Sequence, residues 1–398
     1  MRGSPMTSDA LVDRRTLMNA AAVAMLWSAG SAAHAQGAPG ALPAPAGGRS
    51  PAAPPPGFAA KRFVSPNGTL SYTEGPDNGQ TLLFLPGMGV PRQSYHPAAA
   101  LLSDHFHVVL LDQRGQGESD WAADGRYRVV DYGADLVAFI AGPLRGRKVI
   151  VSGHSLGGLV ALWLASRHPE LTAGLNAEDN PFLMSERGYW EGHWVKPLFE
   201  AQEARLRAFQ ASGRDPAVLG RHFADERAVM PRQDVPYLQR VRALGKQLSI
   251  LTRRGVLPAD AAEQARLDAA YARWLAGEPL RNRNMLPAGV LAAAPAMSAT
   301  MDPLVPHFAV TAELNDGFPH RAAMAAVRAP TLYWNSDQDL VGVLSQREHD
   351  ENVAVIGAHA RVRHVVADGV GHLIHAEQPE FYARELAGFF AGACISPR

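Results

Sequence analysis

The chain has 398 residues, of which 47% are hydrophobic, so it is long enough to bury a large core and is not a disordered protein. Lysine plus arginine and aspartate plus glutamate both number 38, a balance that argues against nucleic acid as a partner. The one cysteine, Cys394, leaves no internal disulfide, so the fold must be stable without one.

The first 35 residues follow the order of a secretion signal. Arg14 and Arg15 precede an apolar run, Ala20–Trp27, and Ala33–Ala35 has the small-x-small pattern of a cleavage site. The segment resembles a twin-arginine signal that is cut after residue 35, which predicts a periplasmic or secreted protein. The alternative is an ordinary buried helix. This apolar run is too short for a stable membrane span, and no other apolar run is long enough, so we expect no membrane span in the mature form. MRGSP at 1–5 resembles the remnant of an expression tag.

Residues 36–60 are mostly alanine, proline and glycine, a composition typical of a flexible or extended linker. From residue 61, short apolar runs alternate with helical patterns, which predicts a mostly parallel sheet covered on both faces. The predicted strands are Arg62–Ser65, Leu70–Glu74, Thr81–Leu85, His107–Asp112, Lys148–Ser152, Leu171–Glu178, Pro330–Asn335 and Arg361–Val366. The predicted helices are Val129–Ala141, Leu156–His168 and Glu380–Phe390.

The alternation stops between residues 181 and 319, where the chain is rich in alanine, arginine and leucine and has a helical, irregular pattern. The simplest organisation is an α/β core at 61–180 and 320–393, interrupted by a helical insertion at 181–319. Ligands of α/β sheets bind beyond the carboxyl ends of the strands, so an insertion at that edge would form a cap over the site.

Ser155 stands in G-H-S-L-G, between a predicted buried strand and a predicted helix. A serine on such a turn projects its hydroxyl out of the sheet, and side chains at Gly153 and Gly157 would collide with the backbone. The alternative is an inert serine in a glycine-rich turn. The following helix adds its N-terminal field, which favours developing negative charge.

A serine hydroxyl needs a base, and the base needs an orienting acid. His372 follows the predicted strand Arg361–Val366, in a loop that Gly369 and Gly371 allow to bend tightly, and it is the favoured base. We expect His375 to be a helix-start or packing residue, and His154 to be a packing residue.

The acid is expected in a loop after another strand. Asp339 is favoured, since the apolar pair after it would anchor its loop, and Asp337 is an alternative in the same loop. Glu178 or Asp179, at the end of the strand Leu171–Glu178, is a third option. The order serine, acid, histidine is that of the α/β-hydrolase architecture.

Two backbone amides are expected to form an oxyanion hole. One belongs to Leu156, after the serine, and the other to Met88, in the loop Pro86–Gly89 that follows the strand Thr81–Leu85. A plain strand-end turn is the alternative for this loop. No H-E-x-x-H or spaced Cys/His cluster is present, so we expect no metal and no cofactor.

The segments LPGMG (85–89), DQRGQGES (112–119), GHSLGG (153–158), NSDQD (335–339) and GVGHLIHAEQPE (369–380) together resemble the α/β-hydrolase family. The resemblance implies a mostly parallel eight-stranded sheet flanked by helices, with the cap inserted after the sixth strand. It gives the predicted serine, histidine, Asp339 and two amides the same roles, and it makes DQRG at 112–115 structural. Many family members have His-Gly where this chain has Pro-Gly.

These observations predict an exported serine hydrolase, carboxylesterase-like, that cleaves an ester or related acyl bond of a small to medium apolar molecule. Lactonase, amidase or carbon–carbon bond hydrolase activity would use the same residues, and a non-catalytic binding protein on this fold is the remaining alternative. We expect Phe182, Trp190, Trp194 and Phe308 to line the pocket, with packing within the cap as the alternative.

Overall fold

The computed structural model describes residues 53–183, 185–191, 193, 196–215, 217–219, 228–230, 269, 273, 280–281, 299–336, 343–367 and 370–394. The predicted secretion signal at 1–35 and most of the predicted linker at 36–60 lie outside these residues, and both stay predictions.

Ten strands are present in the described part of the chain. They are β1 (Ala59–Ser65), β2 (Gly68–Glu74), β3 (Thr81–Leu85), β4 (His107–Leu111), β5 (Val149–His154), β6 (Thr172–Glu178), β7 (Ala228–Met230), β8 (Leu280–Arg281), β9 (Thr331–Ser336) and β10 (Val362–Ala367). All but β7 and β8 form one sheet in the order β1-β2-β4-β3-β5-β6-β9-β10. This confirms the eight-stranded sheet that the sequence predicts.

The sheet is antiparallel at one edge and parallel elsewhere. β1 and β2 form a hairpin in which Ser65 pairs with Gly68, and β2 pairs antiparallel with β4. The remaining pairs, from β4 across to β10, are all parallel. Their carboxyl ends therefore meet along one edge, which gathers the loops after β3, β5, β6, β9 and β10 in one region.

Helices cover both faces of the sheet. They are α1 (His96–Leu102), α2 (Val129–Ala141), α3 (Leu156–Arg167), α4 (Arg187–Trp190), α5 (Lys196–Ala211), α6 (Leu304–Val310), α7 (His320–Ala326), α8 (Gln346–Gly357), α9 (Ile374–Glu377) and α10 (Pro379–Cys394), with 3₁₀ turns at Arg92–Tyr95 and Glu313–Asn315. Successive residues of β3 enter opposite cores: Leu83 and Leu85 pack with α2 and α3, and Leu82 and Phe84 pack with α1 and α10. Burial on both faces explains why these strands are continuous apolar runs.

The insertion between β6 and β9 returns to the core at α6. Tyr127 donates a hydrogen bond to Asp302 (2.6 Å), and the amide of Asp302 donates one to the carbonyl of Gly115 (2.9 Å). α4, α5 and α6 lie within the insertion, together with the short β7–β8 pair, which the sequence does not predict. Most of 216–298 lies outside the described residues, so the helical cap at 181–319 stays a prediction.

Candidate active site

Ser155 occupies a sharp turn between β5, which ends at His154, and α3, which begins at Leu156. Its backbone has φ 51° and ψ −120°, in the left-handed range of φ that residues other than glycine rarely adopt. Such a conformation costs on the order of 1–3 kcal/mol, so its surroundings must hold it in place. Among them, the Glu178 carbonyl accepts a hydrogen bond from the Ser155 amide (3.1 Å), and Asn180 Nδ2 donates to the Ser155 carbonyl (3.3 Å).

The glycines of this turn are required by crowding, as the sequence predicts. A β-carbon at Gly153 would overlap the backbone of Gly157, and one at Gly157 would overlap the backbone of the loop after β3. One at Gly158 would overlap the side chain of Asn180. The turn around Ser155 thus packs so closely against its neighbours that only glycine fits at these three positions.

The structure pairs His372 with Asp179. The Nδ1 atom of His372 lies 2.5 Å from Asp179 Oδ2, and both side chains are buried. Burial by itself would raise the pKa of Asp179, but the charge and the hydrogen bond of His372 outweigh it, so the pKa lies below its ordinary value. His372 therefore has a carboxylate on one ring nitrogen, and among the described residues no group forms a hydrogen bond with its Nε2, as a general base would require.

The favoured acid of the sequence analysis, Asp339, lies outside the described residues, as does its alternative Asp337. The third option, the end of β6, supplies the carboxylate that reaches His372. Asp179 directly follows β6 and has a φ of 41°, which adds a second strained residue beside Ser155. Glu178, the other residue of that option, binds a different histidine.

A further histidine lies near the other carboxylate oxygen of Asp179. His349 Nε2 lies 3.6 Å from Asp179 Oδ1, and its Nδ1 lies 3.1 Å from the hydroxyl of Tyr333. That hydroxyl accepts a hydrogen bond from Asn352 Nδ2 (3.0 Å). Burial lowers the pKa of His349, which favours the neutral ring.

The loop after β3 packs on Ser155. A β-carbon at Gly87 would lie 2.9 Å from Ser155 Cβ and 2.7 Å from His154 Nδ1. The Val90 amide donates to the Gly87 carbonyl (3.2 Å), which closes a turn with Met88 and Gly89 at its centre, and Gly89 has a φ of 70°. The turn's own hydrogen bond does not use the amide of Met88.

Both predicted oxyanion amides are available. Among the residues that the structure describes, no oxygen accepts a hydrogen bond from the amide of Met88 or of Leu156. Leu156 is the first residue of α3, where an amide has no partner inside the helix. Two free N–H groups beside a serine are suited to hold developing negative charge.

Two glutamines of the segment after β4 hold this loop. Gln113 Nε2 donates to the carbonyl of Pro86 (2.8 Å), and Gln116 Oε1 accepts from the amide of Gly89 (2.5 Å). They brace the two ends of the segment that presents Met88. Their segment is itself fixed, because Asp112 accepts a hydrogen bond from the amide of Arg92 (2.9 Å) and pairs with its buried guanidinium. DQRG at 112–115 therefore has the structural role that the resemblance implies.

The predicted pocket aromatics make contacts within the fold. Phe182 is fully buried and lies 6.2 Å from the ring of Tyr333, and Trp190 is buried 5.5 Å from the ring of Phe199. Phe308 is half-buried, 6.0 Å from the ring of Tyr127. Trp194 lies outside the described residues. These contacts match the packing alternative, and pocket lining stays a prediction.

His154 is buried next to the predicted base. Its ring centroid lies 4.4 Å from that of His372. Burial lowers its pKa well below the ordinary value, which favours the neutral ring. In the described part of the chain, no three His, Cys, Asp or Glu residues could hold a metal ion together. No described helix combines the length and apolar character that a bilayer crossing requires.

Comparison with known proteins identifies the family. A sequence model of the α/β-hydrolase fold matches residues 80–379. A 2-(acetamidomethylene)succinate hydrolase of Mesorhizobium japonicum is 34% identical over 132 residues, which are 33% of this chain and 43% of that protein. A protein named as a carbamate hydrolase, from Variovorax paradoxus, is 37% identical over 117 residues, which are 28% of this chain and 44% of that protein.

The chain thus matches less than half the length of these two curated relatives. In three dimensions, a thermophilic esterase of Thermogutta terrifontis has a TM-score of 0.52 at 19% identity, covering 84% of this chain and 99% of that one. This likeness is one of fold. With the family match spanning both halves of the sheet, the chain belongs to the α/β-hydrolase fold family.

Proposed function

We propose that the protein cleaves a carboxylic ester, or a related acyl bond, of a small to medium apolar substrate through an acyl-enzyme. Ser155 Oγ attacks the carbonyl carbon while His372 Nε2 takes the hydroxyl proton. The amides of Met88 and Leu156 stabilise the oxyanion. His372 then gives its proton to the leaving group, takes a proton from the water that attacks the acyl-enzyme, and returns it to Ser155 Oγ as the acid is released.

The observation that carries this proposal is the buried Asp179–His372 hydrogen bond beside a serine in a strained turn. An acid in this position fixes the ring tautomer and stabilises the imidazolium that forms during the reaction. Asp179 replaces Asp339 as our proposed acid, because it already occupies the Nδ1 side of the histidine.

A second candidate is cleavage of an amide or carbamate. It is supported by the names of the two relatives, one an acetamidomethylene succinate hydrolase and the other a carbamate hydrolase. The same serine, histidine and amides would serve it, and so would a lactone or a carbon–carbon bond. Ester and amide cleavage differ in their leaving groups. A departing amine needs the proton of His372 more than a departing phenol does.

The test compares wild-type protein and Ser155→Ala on p-nitrophenyl acetate, the matching anilide, an aryl carbamate and a short lactone. We expect turnover of the ester by the wild type and a loss of about 10³-fold or more in the variant. A variant with wild-type ester turnover would exclude the serine mechanism. Faster turnover of the anilide or carbamate than of the ester would favour the second candidate.

We further propose export through the twin-arginine route, with cleavage after Ala35. The support is the order of the paired arginines, the apolar run and the small-residue site between 14 and 35. N-terminal sequencing of protein from the periplasmic fraction should begin at Gln36. Replacing Arg14 and Arg15 by lysine should retain the full-length chain in the cytoplasm, and unchanged export would contradict the proposal.

A further inference from the structure

A second carboxylate–histidine pair lies beside the first. Glu178 and Asp179 are consecutive at the end of β6, and His375 follows His372 by three residues. The Glu178 carboxylate receives the backbone amide of His375 (2.9 Å) and its Nδ1 (2.8 Å to Oε1, 2.9 Å to Oε2). Both side chains are completely buried. The two acids thus hold two neighbouring points of the segment that carries the proposed base.

Glu178 also holds the nucleophile turn, but through its backbone. Its carbonyl accepts the Ser155 amide at 3.1 Å, while its side chain holds His375. One residue therefore joins the turn that carries the serine to the loop that carries His372. A change in the position of His375 relative to β6 would move the base relative to the serine.

The second ring nitrogen of His375, Nε2, contacts the segment that follows the oxyanion loop. His375 Nε2 lies 3.0 Å from Ser94 Oγ, and its ring stacks on Tyr95 with centroids 3.7 Å apart. Ser94 and Tyr95 form the 3₁₀ turn Arg92–Tyr95, shortly after the loop that presents Met88. The contacts Glu178–His375–Ser94 thus link the serine, the base and the oxyanion loop in one chain.

The base loop is fixed on both sides of His372. Before it, the Gly371 amide donates to Glu377 Oε2 (2.9 Å), and after it, the His375 amide donates to Glu178. A buried carboxylate–histidine pair is a costly way to gain stability, since apolar residues of similar volume often serve as well. The pair lies beside the proposed reacting groups, where a displacement of 1 Å costs about 10²-fold in rate. Its use there is to fix the position of the base.

We propose that Glu178, His375 and Ser94 are positioning residues that set the distance of His372 from Ser155 and from the oxyanion amides. This inference rests on the proposed function, since it assigns the chain of contacts to the same reaction. None of the three touches substrate. They act on the transition state through the placement of the base, so their loss lowers kcat and leaves KM unchanged.

The test uses variants that remove one contact at a time. His375→Leu removes both side-chain contacts, and His375→Asn keeps an N–H where Nδ1 donates to Glu178. Ser94→Ala removes only the link to the oxyanion segment. His359→Leu, at an exposed histidine in the turn that follows α8, is the control. Each variant is assayed for kcat and KM on p-nitrophenyl acetate. Its inactivation by a fluorophosphonate is also measured, as a maximal rate and a half-saturating concentration. All rates are expressed per titrated active site.

We expect His375→Leu to lower kcat and the maximal inactivation rate by about 10²-fold at unchanged KM. His375→Asn should recover at least a tenth of the wild-type rate, and Ser94→Ala should lose about 3- to 10-fold by the same placement effect. The control should match the wild type. Leucine preserves more of the bulk and apolar contact of histidine, whereas asparagine preserves the hydrogen bond to Glu178. A faster asparagine variant therefore shows that the hydrogen bond, and not packing, sets the rate.

Equal rates per active site in His375→Leu and wild type would overturn the inference, as would an asparagine variant no faster than the leucine variant. If His375→Leu does not fold, unchanged kcat in Ser94→Ala overturns it. Failure of the proposed function gives a different result from failure of this inference. In that case the wild-type protein is not modified by a fluorophosphonate and turns over no ester.

Discussion

At the scale of single residues, the sequence leaves open which acid binds the histidine. The cause is the order of the strands in the sheet. β6 and β9 are neighbours, and Glu178 pairs with Trp334, so the loops after the two strands begin side by side. The order of the strands therefore does not separate the two loops as sources of the acid. The spacing along the chain does not encode which loop turns inward, whereas the φ of 41° at Asp179 directs that residue toward the histidine.

Replacing the two acids separately decides between them. Asp179→Asn should lower kcat/KM on an ester by about 10⁴-fold, the loss seen when the acid of a serine–histidine–acid triad becomes an amide and the histidine takes the wrong tautomer. Asp339→Asn should leave kcat/KM within a few-fold of the wild type. The reverse pattern would return the role to Asp339. Thermal melting of both variants controls for loss of fold.

The glutamines that brace the oxyanion loop could not be found from the sequence. Gln113 and Gln116 lie in a segment whose family pattern implies structure, and only the fold brings them to Pro86 and Gly89. The positions of the serine and the histidine at strand ends were easier to predict, because each has a local signal: glycines at fixed offsets from Ser155, and a strand directly before the His372 loop.

At the scale of elements, strands were predicted better than helices for a physical reason. Strands such as β3 and β4 are buried on both faces and thus appear as unbroken apolar runs. α1 and α8 were not predicted. α8 nevertheless has a signal, since Ser345 and Glu348 form a capping box at its start. α1 is only seven residues long, too short to show a clear period.

The contact between the oxyanion loop and the nucleophile turn gives a prediction about glycine. Gly87→Ala would place a methyl group within 3 Å of both His154 and Ser155, so the loop must shift and the Met88 amide moves with it. We expect kcat on an ester to fall by about 10²- to 10³-fold, the range for loss of one oxyanion donor.

Gly388→Ala is the matched control for this substitution. A β-carbon there meets nothing within 4 Å, and the residue lies in α10. It should leave kcat unchanged and raise the free energy of unfolding by about 0.5–1 kcal/mol, because alanine is a better helix former than glycine. Equal kcat in Gly87→Ala and wild type would show that the loop does not supply the donor.

At the scale of the whole molecule, several histidines are buried in neutral form, and they make stability depend on pH. His320 is the clearest case: its Nδ1 accepts the amide of Leu183 (3.0 Å), its Nε2 lies 2.8 Å from Asn315 Oδ1, and burial lowers its pKa to about 3. A protonated ring would direct a second N–H at the Leu183 amide. The folded state therefore excludes a proton that the unfolded chain accepts below its ordinary pKa of about 6.5.

The sign follows from the proton count. Below about pH 6.5 the unfolded state binds one more proton at His320 than the native state, so the free energy of unfolding falls as the pH falls, by up to about 1.4 kcal/mol per pH unit. His320→Asn should lower the free energy of unfolding at pH 7 but reduce its decline between pH 6 and pH 5 by about that slope. Urea unfolding at each pH measures both values. Parallel declines for variant and wild type would contradict the neutral assignment.

The central claim is that Ser155 is a nucleophile activated by His372 and Asp179, and covalent labelling tests it most directly. Intact-mass measurement after exposure to a fluorophosphonate should show one adduct per wild-type chain, and peptide mapping should locate it on Ser155. Ser155→Ala should take up none, and Asp179→Asn should react far more slowly. An unlabelled wild type, or an adduct of equal yield in Ser155→Ala, would contradict the account.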